Sequence, residues 1–215
     1  MEPQYINLSN LNPAQLDMAL AAGWYRIQQT LFTTDLLSFD EIVYQAIWLR
    51  VKLADFEPDK TFRSLMKKNK YFRTEITRLI LTPEHEALFR NYKNHITFEA
   101  SSSLHSLMYG TEDKNVFNTQ MINLYDGNRL IATGAFDLGV QSAEGIFAVY
   151  DPAYKQFSLG KYLIYEKMLL CKREGFTWFY PGYYVPGYSR FDYKKEIGKE
   201  AIEYFDREHG KWFKL

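Results

Sequence analysis

The sequence predicts an α/β (α+β) fold, a sheet with helices packed against it, from three observations. Asp126-Gly127-Asn128 is flanked by Met121 and Leu124 on one side and Leu130, Ile131 and Ala132 on the other, a strong hairpin signal within Phe117 to Asp137. Gly145 to Tyr150 reads as a third strand ending at Asp151-Pro152, and Ser158-Leu159-Gly160 then opens a long helix. Phe176 to Tyr180 reads as a further strand, beyond the Gly175 that stops the helix.

Each element has a local reason. Asn12-Pro13-Ala14-Gln15 has the form of a helix start: Asn12 accepts from an orphan N–H, Pro13 suits the first position and Gln15 closes a capping box. That helix is expected to run to Ala22 and stop at Gly23. Trp24 to Leu53 is rich in β-branched and aromatic residues and reads as two or more strands, with a turn at Thr33-Thr34-Asp35; Phe39 to Val51 is also compatible with a helix. Thr82-Pro83-Glu84 opens a helix that ends near Asn94. In the helix from Ser158, Leu159, Leu163, Tyr165, Met168, Leu169 and Leu170 recur at three to four.

At 215 residues the chain is long enough for one domain or two small ones. Its 47% hydrophobic and 24% charged residues exclude a disordered tail, a collagen-like chain and a coiled coil. No apolar run approaches the roughly 18 residues of a membrane span. Met1-Glu2-Pro3-Gln4 opens no signal peptide, and the chain reads as cytoplasmic with no membrane partner. A single cysteine, Cys171, excludes an intramolecular disulfide and reads as an inert small hydrophobe. Lys+Arg and Asp+Glu are 26 each, so any nucleic-acid contact requires a local patch. One exists: Lys60, Arg63, Lys67, Lys68, Lys70, Arg73 and Arg78 stand against Glu75 alone. It is either a solvated helix face or, with Phe62, Tyr71 and Phe72 interleaved, a surface for an RNA backbone with exposed bases.

His85, His95, His105 and His209 show no metal-ligand spacing, and no metal or cofactor is expected. Ser101-Ser102-Ser103 is not a nucleophile elbow and reads as a loop or helix cap. Walker and dinucleotide glycine patterns are absent. Two features remain. Ser158-Leu159-Gly160-Lys161 places a helix N-terminus after a strand and loop, either an ordinary Ser-capped start or an anion site. Phe176 to Tyr193 holds nine aromatics in eighteen residues. Phe176, Trp178 and Tyr180 suit the inward face of a strand. Tyr183, Tyr184, Tyr188 and Tyr193 stand among turn residues, where rings and hydroxyls suit a pocket, and Arg190, Lys194 and Lys195 suit a phosphate or carboxylate.

At these residues the sequence resembles the arginyl-tRNA–protein transferase family, including its leucyl-transferring bacterial branch. Asp126-Gly127-Asn128-Arg129-Leu130-Ile131-Ala132-Thr133-Gly134, followed by Asp137, resembles the family's D-G-x-L-I-A-x-G hairpin. Tyr150-Asp151-Pro152-Ala153-Tyr154 with Ser158-Leu159-Gly160 resembles its Y-D-P-x-Y…S-L-G signature, and Gly182-Tyr183-Tyr184-Val185-Pro186-Gly187 with Tyr193-Lys194 its L-G-Y-Y-I…Y-K ending. Leu20-Ala21-Ala22-Gly23-Trp24 and Phe56-Glu57-Pro58 with Arg63, Lys68 and Asn69 fall in family order. The family's cysteine cluster between Trp24 and Leu49-Arg50 is absent, so no metal, cluster or haem function is implied. Asn118-Thr119-Gln120 stands where the family often has a histidine.

The resemblance implies a GNAT-like acyltransferase fold, with a central, mostly antiparallel sheet and flanking helices over residues 76–215, beside a smaller N-terminal part over 1–75. It implies transfer of an amino acid, Arg or Leu, from aminoacyl-tRNA to the α-amine of an acceptor protein's N-terminus. Asp137 is then the candidate to hold or deprotonate the amine, with Tyr183, Tyr184 and Tyr193 shaping the catalytic pocket. Gln120, Ser158, Gly160, Arg190 and Lys194 are candidates for substrate, and Arg63, Lys67, Lys68 and Lys70 for tRNA. An acyl-CoA N-acyltransferase and an inactive relative that binds tRNA or N-termini remain open.

Overall fold

The computed structural model describes residues 2–39 and 41–215; Met1 of the opening tetrapeptide, and Asp40 within the Phe39–Val51 stretch, lie outside the described residues. Strand β1 (Gln4–Asn7) is followed by α1 (Pro13–Ala21), then β2 (Tyr25–Ile27) and β3 (Thr30–Thr33). The expected capping box is formed: Gln15 N–H donates to Asn12 Oδ1 and Asn12 N–H to Gln15 Oε1, both at 2.9 Å. Strands β4 (Leu36–Phe39), β5 (Ile42–Gln45) and β6 (Ile47–Lys52) follow, so the described part of Phe39–Val51 is strand and not helix. The basic block divides into α2 (Lys60–Asn69), which buries Phe62, Leu65 and Asn69, and strand β7 (Arg73–Arg78).

Helix α3 (Pro83–Lys93) starts at a Thr82 cap as expected, and Ser103 caps α4 (Leu104–Tyr109). Strands β8 (Thr119–Asp126) and β9 (Arg129–Leu138) close over Gly127-Asn128, and β10 (Ser142–Tyr150) begins three residues before the expected Gly145. After a 3-10 segment over Pro152–Phe157 come α5 (Leu159–Arg173) and β11 (Trp178–Tyr184). A second 3-10 segment, Ser189–Glu196, precedes β12 (Ile202–Asp206) and β13 (Lys211–Lys214).

The larger sheet has the order β13-β12-β6-β11-β10-β9-β8-β7, antiparallel except for β10–β11. Since β6 lies between β11 and β12, and β7 spans 73–78, hydrogen bonding runs straight through the expected division at residue 75. Helices α2 and α5 cover one face, where Leu163, Met168, Phe136 and Phe179 share a core. Helix α1 with β2 and β3, and α3 with α4, cover the other, over Trp48 and Tyr180 and over Leu130 and Val149.

Two bulges shape the middle of this sheet. In β10 an extra residue lies between Gly145 and Phe147, opposite Phe136 and Ala135. The fully buried Lys167 of α5 reaches that point and donates to Ala135 O at 2.8 Å and Phe147 O at 2.7 Å; a Cβ on Gly134 would stand 2.7 Å from its Nζ. In β11 the extra residue lies between Phe179 and Gly182, opposite Val51 and Leu49. That corrects the expectation that the strand ends at Tyr180. The bulge takes up Pro181, which has no N–H for the ladder, and β11 continues to Tyr184.

Candidate active site

The two bulges meet where the single parallel pair ends. β10 and β11 are in register only from Ser142–Trp178 to Glu144–Tyr180, and beyond those residues a bulged strand bends on each side, so the pair splays. Open carboxyl ends of parallel strands are where an α/β sheet offers its site. Tyr150 ends one wall and Tyr183 the other.

The β11 bulge also sets which way the tyrosines face. Side chains alternate along a strand, and one inserted residue inverts the alternation. Tyr183 therefore joins Trp178 and Tyr180 on the Trp48 face, with its ring 5.0 Å from Trp48, while Tyr184 packs with the α5 core beside Lys195, whose Nζ lies 5.3 Å from its ring. Phe176 precedes the strand and packs in the α5 core, apart from Trp178 and Tyr180. The structure thus separates Tyr183 from Tyr184.

Tyr183, Arg190, Tyr193 and Lys194 come together. Lys194 Nζ stands 5.1 Å from the Tyr183 ring, 5.3 Å from the Phe191 ring and 3.0 Å from where a Cβ on Gly182 would lie. Gly182, at φ +87°, is the residue that permits both the turn of the bulge and this approach. The Arg190 guanidinium lies over the Phe98 ring and 5.6 Å from Phe191. The partly exposed Tyr193 is within electrostatic reach of Tyr92, Tyr150, Tyr183 and Arg190. Among the described residues neither Arg190 nor Lys194 has an acidic partner. Loss of water around its ammonium, and then the Arg190 charge, push Lys194 down to about 8.

Helix α5 closes the third side. Ser158 sits at φ +52° and its side chain caps nothing, which corrects the Ser-capped alternative and leaves the first N–H groups of α5 without a side-chain cap. A Cβ on Gly160 would be 3.6 Å from the Tyr150 ring, and Lys161 Nζ pairs with Glu196 at 2.8 Å, tying this end to the 189–196 segment.

Helix α2 adjoins the same end. Lys68 Nζ donates to Gln156 O, and Asn69 Nδ2 to Phe157 O at 3.1 Å, immediately before Ser158. Arg63, Lys67, Lys68 and Lys70 are all exposed. Of the interleaved aromatics only Tyr71, 83% exposed, is open to a base: Phe62 is core, and Phe72 packs on Tyr154 and Phe157.

Two expected site residues lie elsewhere. Asp137 is fully buried: it accepts from Arg26 Nη1 at 2.9 Å and from the Thr119 hydroxyl, and Arg26 also donates to Met108 O and Asn115 Oδ1. It holds β2 against β8 and β9 and has no surface to offer an amine. Glu144, its cross-strand neighbour, accepts from the Arg26 backbone N–H; burial, then the Asp137 charge, holds its carboxyl well above the usual range. Gln120 lines a cavity of about 290 Å³ with Phe136, Leu170 and Cys171 at the far end of α5. Two strands, β9 and β10, separate β8 from β11, a distance of three spacings of about 4.8 Å each.

A family model described as the C terminus of arginine-tRNA-protein transferase matches residues 84–203, which includes β8 to β11, α5 and the 189–196 segment. The chain belongs to the arginine-tRNA-protein transferase family. An aspartate/glutamate leucyltransferase of Leptospira interrogans is 30% identical over 152 residues, 68% of this chain and 59% of that protein. The same description is carried by a Paracoccus denitrificans protein, 27% identical over 169 residues, 71% of this chain and 60% of that one. The chain thus spans about three fifths of those relatives. The crystal structure of FemX superposes with a TM-score of 0.53 at 11% identity, over 85% of this chain and 64% of that one, a likeness of fold alone.

Within this transferase-family chain, the cluster of Tyr183, Arg190, Tyr193 and Lys194 and the start of α5 fall inside the matched span, whereas α2 and the β4–β5 hairpin precede it. Sequence reading missed Arg26, Tyr92, Phe98 and Phe39. Arg26 alone left a signal, a charge between Tyr25 and Ile27 in an apolar strand, which demands a buried acid.

Proposed function

We propose that the chain transfers an aminoacyl group, leucyl foremost, from aminoacyl-tRNA to the α-amine of a protein that begins with Asp or Glu. The observation that carries this is the pair Arg190 and Lys194. They are two cations at the opening between β10 and β11 with no acid beside them among the described residues, and a side-chain carboxylate supplies what they lack. The leucyltransferase descriptions of the relatives supply the same acceptor class.

The chemistry is aminolysis of an ester. The acceptor nitrogen attacks the aminoacyl carbonyl, a C–N bond forms, the C–O bond to the terminal ribose breaks, and the amine proton ends on the departing ribose oxygen. An α-amine with a pKa of about 7.7–8.0 is substantially neutral near physiological pH, so no relay of serine or cysteine is required. What the chain supplies is placement and charge. The uncapped N–H groups of α5 face the terminal phosphates or the developing oxyanion, with Gly160 and Tyr150 lining the approach. The exposed cations of α2 continue toward the tRNA backbone.

The test is incubation with radiolabelled Leu-tRNA and peptides beginning with Glu, Asp or Lys. Label is expected in the Glu and Asp peptides. Transfer only to the Lys peptide would overturn the acceptor assignment, label from Arg-tRNA instead would overturn the donor, and acylation from an acyl-CoA alone would overturn the reaction.

A further inference from the structure

We propose that the β4–β5 hairpin forms, with Tyr188 and Phe191, a subsite for an apolar side chain at the third position of the acceptor; this rests on the transferase reading above. Among the described residues β4 and β5 pair only with each other, so the hairpin belongs to neither larger sheet. It leads into β6, whose Ile47 and Trp48 pair with Tyr184 and Tyr183 at the end of β11. Directly paired residues of an antiparallel ladder share a face, so Leu37, Tyr44, Phe39 and Ile42 lie on one side. That side meets the cluster. Phe39 stacks on Tyr188 with centroids 4.8 Å apart, Tyr44 lies 5.5 Å from Tyr188, and Phe39 lies 5.7 Å from Phe191. Ile42, opposite Phe39, remains 54% exposed, an uncovered apolar rim.

The spacing selects the position. The Phe191 ring is 5.3 Å from Lys194 Nζ and 5.6 Å from Arg190 Cζ, and Phe39 is a further step beyond it. In an extended chain the first and third side chains point the same way about 6.7 Å apart, and the second points away. With the first carboxylate on Arg190 and Lys194, the third side chain falls on Phe191 and Phe39. The direction follows as well. The acceptor amine must face α5 on the β10 side, so the chain leaves across β11 toward the hairpin.

The experiment compares kcat/KM for leucyl transfer to Glu-Ala-Leu, Glu-Leu-Ala and Glu-Ala-Ser peptides of equal length. Leucine third is expected to exceed serine third about ten-fold, from burial of one aliphatic side chain, with no gain from leucine second. Ile42→Ser and Phe39→Ser should each bring the leucine-to-serine ratio toward one. The exposed Ile42 keeps the test valid if the Phe39 variant fails to fold. Equal rates for all three peptides, or a gain from leucine second, would sink the subsite while leaving the transferase reading intact. No transfer to any peptide would remove both.

Discussion

Two groups of charges sit within this sheet, and they are satisfied in opposite ways. Arg26 is surrounded: Asp137, Thr119, Asn115 and the Met108 carbonyl take its guanidinium, and Glu144 takes its backbone N–H. Arg190 and Lys194 are enclosed by rings of Tyr183, Phe98 and Phe191, with no acid among the described residues. Desolvated charge is costly in both places. In the first the protein itself supplies the compensation, which makes the group a fastener. In the second no described residue supplies it, which is why we propose the pair as the place where an acceptor carboxylate binds.

The largest effect should come from breaking the fastener. Arg26→Met leaves Asp137 buried without its partner and is expected to cost about 3–5 kcal/mol, seen as a fall in Tm of roughly 6–20 °C. Lys194→Met removes a cation that no acid among the described residues compensates, and thermal unfolding should show no loss. If both variants melt alike, the two groups do not differ as described.

Activity should separate them in the other direction. Arg190→Met and Lys194→Met are each expected to lower kcat/KM for a Glu-initiated peptide about 100-fold, the worth of one enclosed charge-assisted hydrogen bond. Binding of tRNA should be retained. A parallel loss of tRNA affinity would reassign the pair to phosphate.

How much of this was legible follows from how local each signal is. The Asn12 box, the Gly127-Asn128 hairpin and the Thr82 start depend on residues within four of each other, and they form as read. The cationic cluster was legible as composition, because Tyr183, Arg190, Tyr193 and Lys194 share one short segment. Asp137 was misplaced because its partner Arg26 lies 111 residues earlier, and no periodicity links the two. Pro181-Gly182 carries turn chemistry, yet it lies inside a strand as a bulge, because β6 supplies the ladder on its far side. Tyr184 consequently faces away from Tyr183.

A third set of cations is exposed and has no acid partner among the described residues, although Lys68 donates to Gln156 O. Lys67 and Lys68 are exposed on α2 beside the segment that leads into α5. If they meet phosphates, Lys67→Glu with Lys68→Glu should weaken tRNA binding by about ten-fold or more and flatten the salt dependence by one to two phosphate equivalents, measured by filter binding across a salt series. An unchanged slope would leave α2 a solvated face.

The smallest effect distinguishes Lys194 from Arg190 by pH. Burial and its neighbour lower Lys194 to about 8, so its charge is present below that value and lost as pH rises through it. The acceptor α-amine, at about 7.7–8.0, gains nucleophilicity over the same interval. The two changes oppose, and kcat/KM for a Glu-initiated peptide should pass through a maximum near pH 8. At pH 8.5 only about a quarter of Lys194 remains charged, so relief of that limb is worth about four-fold. Lys194→Arg keeps its charge throughout, and its profile should rise and then level where the parent falls. A falling limb that survives in Lys194→Arg belongs to another group, and Lys194 would then contribute to the cluster by packing on Tyr183 rather than by charge.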